Sequence, residues 1–187
     1  MGFLLLLGGA RSGKSALAVE LGRRWGGPVT LVATGEAGDE EMAARIARHR
    51  AERPPAWRTV EERAALLDAV TAAPPGDLVL VDCLTLWVSN LLLAGTDADE
   101  VAGAAAEVAA ALAARTAPAV VVSNEVGMGI VPDHPLGRAY RDALGAVNAA
   151  FAARADRAAL LVAGRLLELS PAAGFLEGIE WPVWTRP

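Results

Sequence analysis

Five short, continuously apolar runs recur along the chain, and each has the length of one buried β-strand. They are Phe3 to Leu7, Val29 to Ala33, Leu78 to Val81 (ending at Asp82), Ala119 to Val122 and Ala159 to Ala163. A strand with one face in water alternates apolar and polar residues, whereas a strand buried on both faces is apolar throughout. The runs therefore predict a mostly parallel sheet that is covered by helices on both sides.

Segments with helical patterns separate these runs. The predicted helices are 14–25, 39–53, 61–72, 97–115 and 136–155. Gly26 to Pro28 ends the first helix, and Pro54 with Pro55 ends the second. The alternation of strands and helices predicts an α/β fold with three layers, formed as a single domain over residues 1–187. Residues 170–187 form a C-terminal tail to which we assign no role.

The composition restricts the possible partners and the location. The 187 residues are 53% hydrophobic and 21% charged, which is typical of a folded domain with a packed core. A net charge of −5 argues against a nucleic-acid partner attracted by bulk charge. Cys83 is the only cysteine, so no intrachain disulfide is expected and a cytoplasmic location is favoured. No apolar run reaches the ~20 residues of a membrane helix, and no signal peptide is evident, so we expect no membrane insertion.

A phosphate-binding motif follows the first apolar run directly. Residues 8–15 fit the pattern G-x-x-x-x-G-K-[ST], in which backbone N–H groups and a helix N-terminus bind phosphate oxygens. Lys14 is the only lysine of the chain, and we expect it to contact the β- and γ-phosphates of a nucleotide. Ser15 is a predicted Mg²⁺ ligand. The predicted phosphate-binding residues are Gly8, Gly9, Ala10, Arg11, Ser12, Gly13, Lys14 and Ser15.

Asp82 is a second candidate for the metal site. It ends an apolar strand, where an acid beside a P-loop binds Mg²⁺ directly or through water. The alternative is a carboxylate that caps the helix that follows. The motif and Asp82 together indicate nucleotide binding, but they do not choose the reaction.

His49 lies among four arginines, which are Arg45, Arg48, Arg50 and Arg53. Such a cluster suits triphosphate binding and stabilises charge that develops on phosphorus. The positive neighbours favour the neutral, nucleophilic imidazole, whereas a helix C-terminus favours the cation, and the sequence leaves this balance open. A surface histidine on a solvated basic helix is the alternative.

The segment 123–132, SNEVGMGIVP, follows the fourth strand. Loops at the carboxyl ends of parallel strands form the ligand-binding edge of such folds. Glu125 is a candidate contact to metal or substrate, and a carboxylate that stabilises the loop is an equally good interpretation.

The chain resembles the bifunctional adenosylcobinamide kinase and adenosylcobinamide-phosphate guanylyltransferase family of cobalamin biosynthesis. The resemblance lies in GGARSGKS at 8–15, DEEMAARIARHRAERPPAWRTVE at 39–61 and NEVGMGIVP at 124–132. It continues through Arg138 to Asp142, Gly145 and Asn148, and covers roughly residues 3–165. It implies a P-loop fold related to the RecA type, assembled as a homotrimer.

The resemblance also implies two reactions. ATP or GTP phosphorylates adenosylcobinamide, and GTP then transfers GMP to adenosylcobinamide-phosphate, with Mg²⁺ as cofactor. It implies that a histidine carries GMP covalently, and the motif places this role on His49, although some relatives have two adjacent histidines where this chain has Arg48 and His49. Further nucleotide contacts are implied at Ala33, Thr34, Gly35, Arg50, Ala51, Glu52, Arg53, Glu61 and Asp82.

Two other functions are compatible with the P-loop. A monofunctional P-loop kinase of another small molecule would transfer the γ-phosphate and form no protein-bound GMP. A non-catalytic nucleotide-sensing module would bind nucleotide without turnover, and the set of Lys14, Ser15 and Asp82 argues against it.

Overall fold

The computed structural model describes residues 2–36, 40–51 and 53–176, and within them the chain alternates strands and helices. The strands are β1 (Phe3–Gly8), β2 (Val29–Ala33), β3 (Arg58–Glu61), β4 (Leu78–Asp82), β5 (Ala119–Val122), β6 (Arg157–Val162) and β7 (Arg165–Leu169). The helices are α1 (Lys14–Trp25), α2 (Glu40–Ala51), α3 (Leu66–Ala72), α4 (Leu84–Leu93), α5 (Ala98–Ala113), α6 (Pro135–Ala152) and α7 (Ala172–Leu176).

The strands of the described part form one seven-stranded sheet in the order β3-β2-β4-β5-β1-β6-β7. Every neighbouring pair is parallel except β6 and β7, which form an antiparallel hairpin at one edge. β1 lies inside the sheet between β5 and β6, so the segment that follows it emerges in the middle of one sheet edge. The predicted mostly parallel sheet is confirmed.

Two separate apolar cores lie on the two faces of the sheet. Successive residues of a strand point to opposite faces, so Leu5 and Leu6 of β1 enter different cores. On one face α1 packs through Ala18 against strand residues such as Leu80. On the other face α3, α4, α5 and α6 form a larger core that includes the fully buried Trp87. This arrangement confirms the predicted three-layer α/β fold.

The structure differs from the predicted elements at both edges of the sheet. The helix predicted over 61–72 begins only at Leu66, because Arg58–Glu61 forms the edge strand β3 against β2. β7 at the opposite edge was also not predicted. Both strands are largely exposed, so their sequences contain polar residues and lack the continuous apolar run of the inner strands. The helix predicted over 39–53 spans Glu40–Ala51, and Asp39 lies outside the described residues.

Some predictions concern residues outside the described part of the chain. No helix within residues 2–36, 40–51 and 53–176 is long and apolar enough to cross a bilayer. The tail predicted at 170–187 begins with the short helix α7, and residues 177–187 lie outside the described part. A single domain over 1–187 stays a prediction.

Trp57 fixes β3 to the rest of the molecule. Its ring packs against Gly22 of α1, and a Cβ built on Gly22 would lie 2.5 Å from the ring. A methyl group at Gly22 therefore requires the indole to move. Trp57 directly precedes β3, and the parallel pairing with β2 then places Glu61 opposite Ala33.

Two glycine-to-alanine substitutions test this packing. Gly103, in α5, has no atom within 4 Å of its added Cβ, so Gly103→Ala should raise the free energy of unfolding by about 1 kcal/mol through helix propensity. Gly22→Ala should instead lower the free energy of unfolding. Overpacking against Trp57 costs about 1–3 kcal/mol, which outweighs the gain in helix propensity. Urea denaturation measures both values. Equal stabilisation by the two substitutions would contradict the contact between Trp57 and α1.

Candidate functional site

An open cleft of about 1230 Å³ lies over the carboxyl ends of β1, β4 and β5. The loop after β1 forms one wall, and α2 with the segments after β2 and β3 forms the other. The cleft brings together most of the predicted site residues. Those that line it are Ala10, Arg11, Ser12, Gly13, Lys14, Ser15, Ala33, Gly35, His49, Arg50, Arg53, Glu61 and Asp82.

The P-loop holds its lysine in a fixed position. Lys14 is only 5% exposed, and its Nζ donates hydrogen bonds of 2.7 Å to the carbonyls of both Gly8 and Gly9. The Oγ of Ser12 lies 3.3 Å from the same Nζ. A buried ammonium group needs such oxygen partners because its desolvation is costly. The positive charge is thereby held inside the loop that the sequence predicts to bind phosphate.

Two glycines permit the backbone path of this loop. Gly8 has φ = 147°, and a Cβ there would lie 2.3 Å from the carbonyl oxygen of Leu161. Gly13 has φ = 101° at the N-cap of α1, where no side chain caps the helix and no acidic residue occupies the first turn. The first N–H groups of a helix bind anions well when no side chain of the protein satisfies them. The end of α1 is therefore suited to a phosphate.

Ser15 and Asp82 meet at the mouth of the P-loop. The Oγ of Ser15 donates a 3.2 Å hydrogen bond to Oδ1 of Asp82. A hydroxyl and a carboxylate are oxygen ligands of the kind that Mg²⁺ takes, with nucleotide oxygens and water completing its octahedron. No group of three or more His, Cys, Asp or Glu side chains suited to a metal occurs within the described residues. The pair therefore fits Mg²⁺ that is held together with a nucleotide.

The alternative role of Asp82 as a helix cap is not seen. The N-cap of α4 is Cys83, and no side-chain hydrogen bond caps that helix. The carboxylate of Asp82 instead faces the cleft, where it contacts Ser15 on one side and His49 on the other.

His49 lies in the last turn of α2, opposite the P-loop. Its Nδ1 is 3.9 Å from Oδ2 of Asp82, and its side chain is 30% exposed. This distance is within ion-pair range but longer than a hydrogen bond. Because Nδ1 faces the carboxylate, Nε2 is the ring nitrogen directed away from Asp82. The histidine therefore belongs to the cleft and does not lie on a fully solvated helix face.

The basic residues near His49 have distinct environments. Arg50 forms an ion pair with Glu61 of β3. Burial lowers the pKa of the half-buried Arg53, while the nearby Asp82 carboxylate raises it, and the guanidinium remains charged at neutral pH. Glu52 and the side chain of Arg45 lie outside the described part of the structure. The cleft thus holds cationic groups from both the P-loop and the α2 side.

Four of the predicted nucleotide contacts do not line the cleft: Gly8, Gly9, Thr34 and Ala51. The carbonyls of Gly8 and Gly9 accept the hydrogen bonds that hold the Lys14 ammonium group. Thr34 is fully buried, and its Oγ1 donates to the carbonyl of Cys83 at 2.6 Å and accepts from its N–H at 3.0 Å. Thr34 therefore fixes the backbone next to Asp82. Ala51 is an exposed residue at the end of α2.

Cys83 also lines the cleft and is a second side chain whose nucleophilicity must be considered. Burial, reinforced by the charge of Asp82, raises the pKa of the Cys83 thiol to about 11. The thiol is therefore protonated at neutral pH, and only the thiolate is an effective nucleophile. Cys83 is poorly suited to form a covalent intermediate with phosphorus.

In the segment after β5, the predicted candidate Glu125 stabilises the loop, whereas its neighbour Asn124 lines the cleft. Glu125 uses its carboxylate to accept the backbone N–H of Gly127, which agrees with the loop-stabilising interpretation. Asn124 lines the cleft instead. Asn124 is the second residue beyond β5, and a single asparagine at this place forms no motif in the sequence. His134 caps α6, where its Nδ1 accepts the N–H of Gly137 at 2.9 Å.

Comparison with known proteins agrees with this geometry. Residues 4–169 match the family model described as cobinamide kinase / cobinamide phosphate guanyltransferase. The bifunctional adenosylcobalamin biosynthesis protein CobP of Pseudomonas aeruginosa is 46% identical over 161 residues, which cover 86% of this chain and 92% of that protein. The bifunctional adenosylcobalamin biosynthesis protein CobU of Escherichia coli is 43% identical over 174 residues, 86% of this chain and 96% of its own.

A solved structure resembles the chain more loosely. The flagellar accessory protein FlaH of Methanocaldococcus jannaschii superposes with a TM-score of 0.45 at 14% identity, over 88% of this chain and 74% of its own. The family match covers both walls of the cleft, from the P-loop to the segment after β5. The chain belongs to the cobinamide kinase / cobinamide phosphate guanyltransferase family.

Proposed function

We propose that this chain catalyses two successive transfers in the biosynthesis of adenosylcobalamin. It first phosphorylates adenosylcobinamide with ATP or GTP, and it then transfers GMP from GTP to adenosylcobinamide-phosphate. The family and the names of the relatives support both activities. The observation that supports a single site most strongly is that His49 lies 3.9 Å from Asp82, in the same cleft as the P-loop.

In the kinase step, the hydroxyl group of adenosylcobinamide attacks the γ-phosphorus and releases its proton to solvent, and the nucleoside diphosphate leaves. Lys14 neutralises charge on the β- and γ-phosphates, which develops as the bond to the leaving oxygen breaks. Ser15 and Asp82 would hold Mg²⁺, which supplies further neutralisation of the phosphate oxygens. The chain provides mainly positioning and fixed positive charge in this step.

In the guanylyl step, Nε2 of His49 attacks the α-phosphorus of GTP and pyrophosphate leaves. The Nδ1 proton stays on the ring, so the attacking imidazole becomes cationic, and the Asp82 carboxylate beside Nδ1 stabilises that charge. A phosphate oxygen of adenosylcobinamide-phosphate then attacks the same phosphorus. This second displacement releases adenosylcobinamide-GDP and returns His49 to its neutral form.

The two steps place different requirements on one cleft. The kinase attacks the γ-phosphorus, whereas His49 attacks the α-phosphorus, so the nucleotide or α2 must shift between the steps. Arg53 and Arg50, which lie on the α2 side, would follow His49 in such a movement. Their guanidinium groups would contact the triphosphate in the guanylyl step.

The proposal extends to assembly and location. We expect a cytoplasmic homotrimer that takes adenosylcobinamide and its phosphate as substrates. Sedimentation equilibrium tests the trimer, because the mass of one chain is 19.3 kDa and the assembly should be three times as heavy.

The covalent intermediate can be tested with GTP labelled at the α-phosphate. The chain has two histidines, so His134→Asn is the matched control for His49→Ala, and asparagine preserves an N-cap acceptor for α6. After incubation with Mg²⁺ and denaturation, the wild type and His134→Asn should retain label. His49→Ala should retain none, yet it should still phosphorylate adenosylcobinamide. Retention of label by a folded His49→Ala protein would contradict the proposed intermediate.

A second pair of substitutions separates the two contacts of Asp82. Ser15→Ala affects only the metal side, whereas Asp82→Asn affects both the metal side and Nδ1 of His49. At saturating Mg²⁺, the rate of His49 labelling should be about 10-fold lower in Asp82→Asn than in Ser15→Ala, because the negative charge 3.9 Å from Nδ1 of His49 is lost as well. Equal rates in the two variants, measured by rapid quench, would show that Asp82 acts through the metal alone.

A further inference from the structure

Asn124 follows β5, the strand that lies between β1, which leads into the P-loop, and β4, which ends at Asp82. β5 runs between β1 and β4, and Val122 pairs with Leu6 on one side and with Asp82 on the other. Beyond Val122 the pairing with β1 continues. The N–H of Ser123 donates to the carbonyl of Leu6 at 2.9 Å, and the N–H of Glu125 donates to the carbonyl of Gly8 at 3.2 Å. Asn124 therefore lies beside the first residue of the P-loop.

The backbone of Asn124 is held from two sides. Its N–H donates to Oγ1 of Thr85 at 2.9 Å, and its carbonyl accepts from Nδ2 of Asn148 at 2.9 Å. Asn148 is buried, and its Oδ1 accepts a 2.6 Å bond from the Oγ of Ser123. Two side chains from α4 and α6 thus position a single residue, which is expected where a site requires fixed geometry.

The carboxamide of Asn124 is not used by this network. Within the described residues it takes part in no hydrogen bond, although the side chain is half-buried and lines the cleft. A neutral amide offers two N–H donors and avoids the repulsion that a carboxylate would exert on phosphate oxygens. A phosphate group held between Lys14 and the Ser15–Asp82 pair would lie over this end of β5.

We propose that Asn124 is a catalytic residue whose carboxamide donates a hydrogen bond to the γ-phosphoryl group of the bound triphosphate. This inference rests on the proposed kinase step. The donor contacts the oxygens that gain or redistribute charge when the γ-phosphorus is attacked. The proposed contact is to the γ-phosphoryl group and not to the α-phosphorus, which is the target of His49. Asn124 should therefore matter more for phosphorylation of adenosylcobinamide than for labelling of His49.

Nucleotide binding tests the contact without any corrinoid. The dissociation constants of a β,γ-imido GTP analogue and of GDP are measured with Mg²⁺ by calorimetry for the wild type, Asn124→Ala and Asn124→Asp. Asn124→Ala should weaken the triphosphate about 10-fold and leave GDP unchanged, because a hydrogen bond to a charged group is lost only with the γ-phosphate. Asn124→Asp should weaken the triphosphate further through repulsion. Equal weakening of both nucleotides, or no change in either, would overturn the proposal.

Rates provide the second arm of the test. At saturating nucleotide, Asn124→Ala should lower the kinase kcat about 100-fold, which is typical for the loss of one donor to developing charge, while the rate of His49 labelling changes little. The backbone bonds of Asn124 survive this substitution, so an unchanged urea midpoint shows that the variant is folded. Equal losses in the two rates would assign Asn124 to general support of the cleft. If no corrinoid is phosphorylated at all, the proposed function fails, whereas the binding comparison still judges Asn124.

Discussion

The parallel pairing of β4, β5 and β1 fixes where three chemically active segments begin. Parallel strands end at the same edge of a sheet, and the register places Asp82, Val122 and Leu6 at one level. The pairing of these strands therefore brings the P-loop, Asn124 and Asp82 together at one edge of the sheet. The buried apolar residues of these strands hold the register, because a slip by one residue would move each side chain to the opposite core.

Asp82 connects the two halves of the cleft. Its carboxylate accepts from Ser15 at the P-loop and faces Nδ1 of His49 on α2. In the proposed mechanism the same negative charge supports metal binding in the kinase step and the cationic imidazole in the guanylyl step. This shared use offers a physical reason for one cleft to serve two reactions at different phosphorus atoms. Thr34 maintains the arrangement by holding the backbone of Cys83, next to Asp82.

Part of this structure could be predicted from the sequence because its physical signals are local. The inner strands are continuous apolar runs, and the P-loop has a fixed spacing of glycines, lysine and serine, so both are visible in the sequence alone. The edge strands β3 and β7 were missed because exposed strands carry polar residues and no such run. The role proposed for His49 rests on a resemblance, since a single histidine on a basic helix has little specificity.

Asn124 shows why other parts of the site could not be predicted. One asparagine after a strand gives no motif, and the role proposed for Asn124 depends on the strand order, which the sequence does not reveal. The order places β5 between β1 and β4 although β2, β3 and β4 precede it in the chain. The same holds for the partners Thr85 and Asn148, which come from helices far apart in sequence.

In the proposed mechanism one cleft serves both reactions, and a histidine opposite the P-loop carries GMP from GTP to adenosylcobinamide-phosphate. Peptide mapping by mass spectrometry under alkaline conditions tests it most directly, after incubation of the full chain with GTP and Mg²⁺. A GMP adduct is expected on the peptide that contains His49 and on no other peptide. Addition of adenosylcobinamide-phosphate should remove the adduct. An adduct on another residue, or an adduct on His49 that the acceptor cannot discharge, would rule out the proposed intermediate.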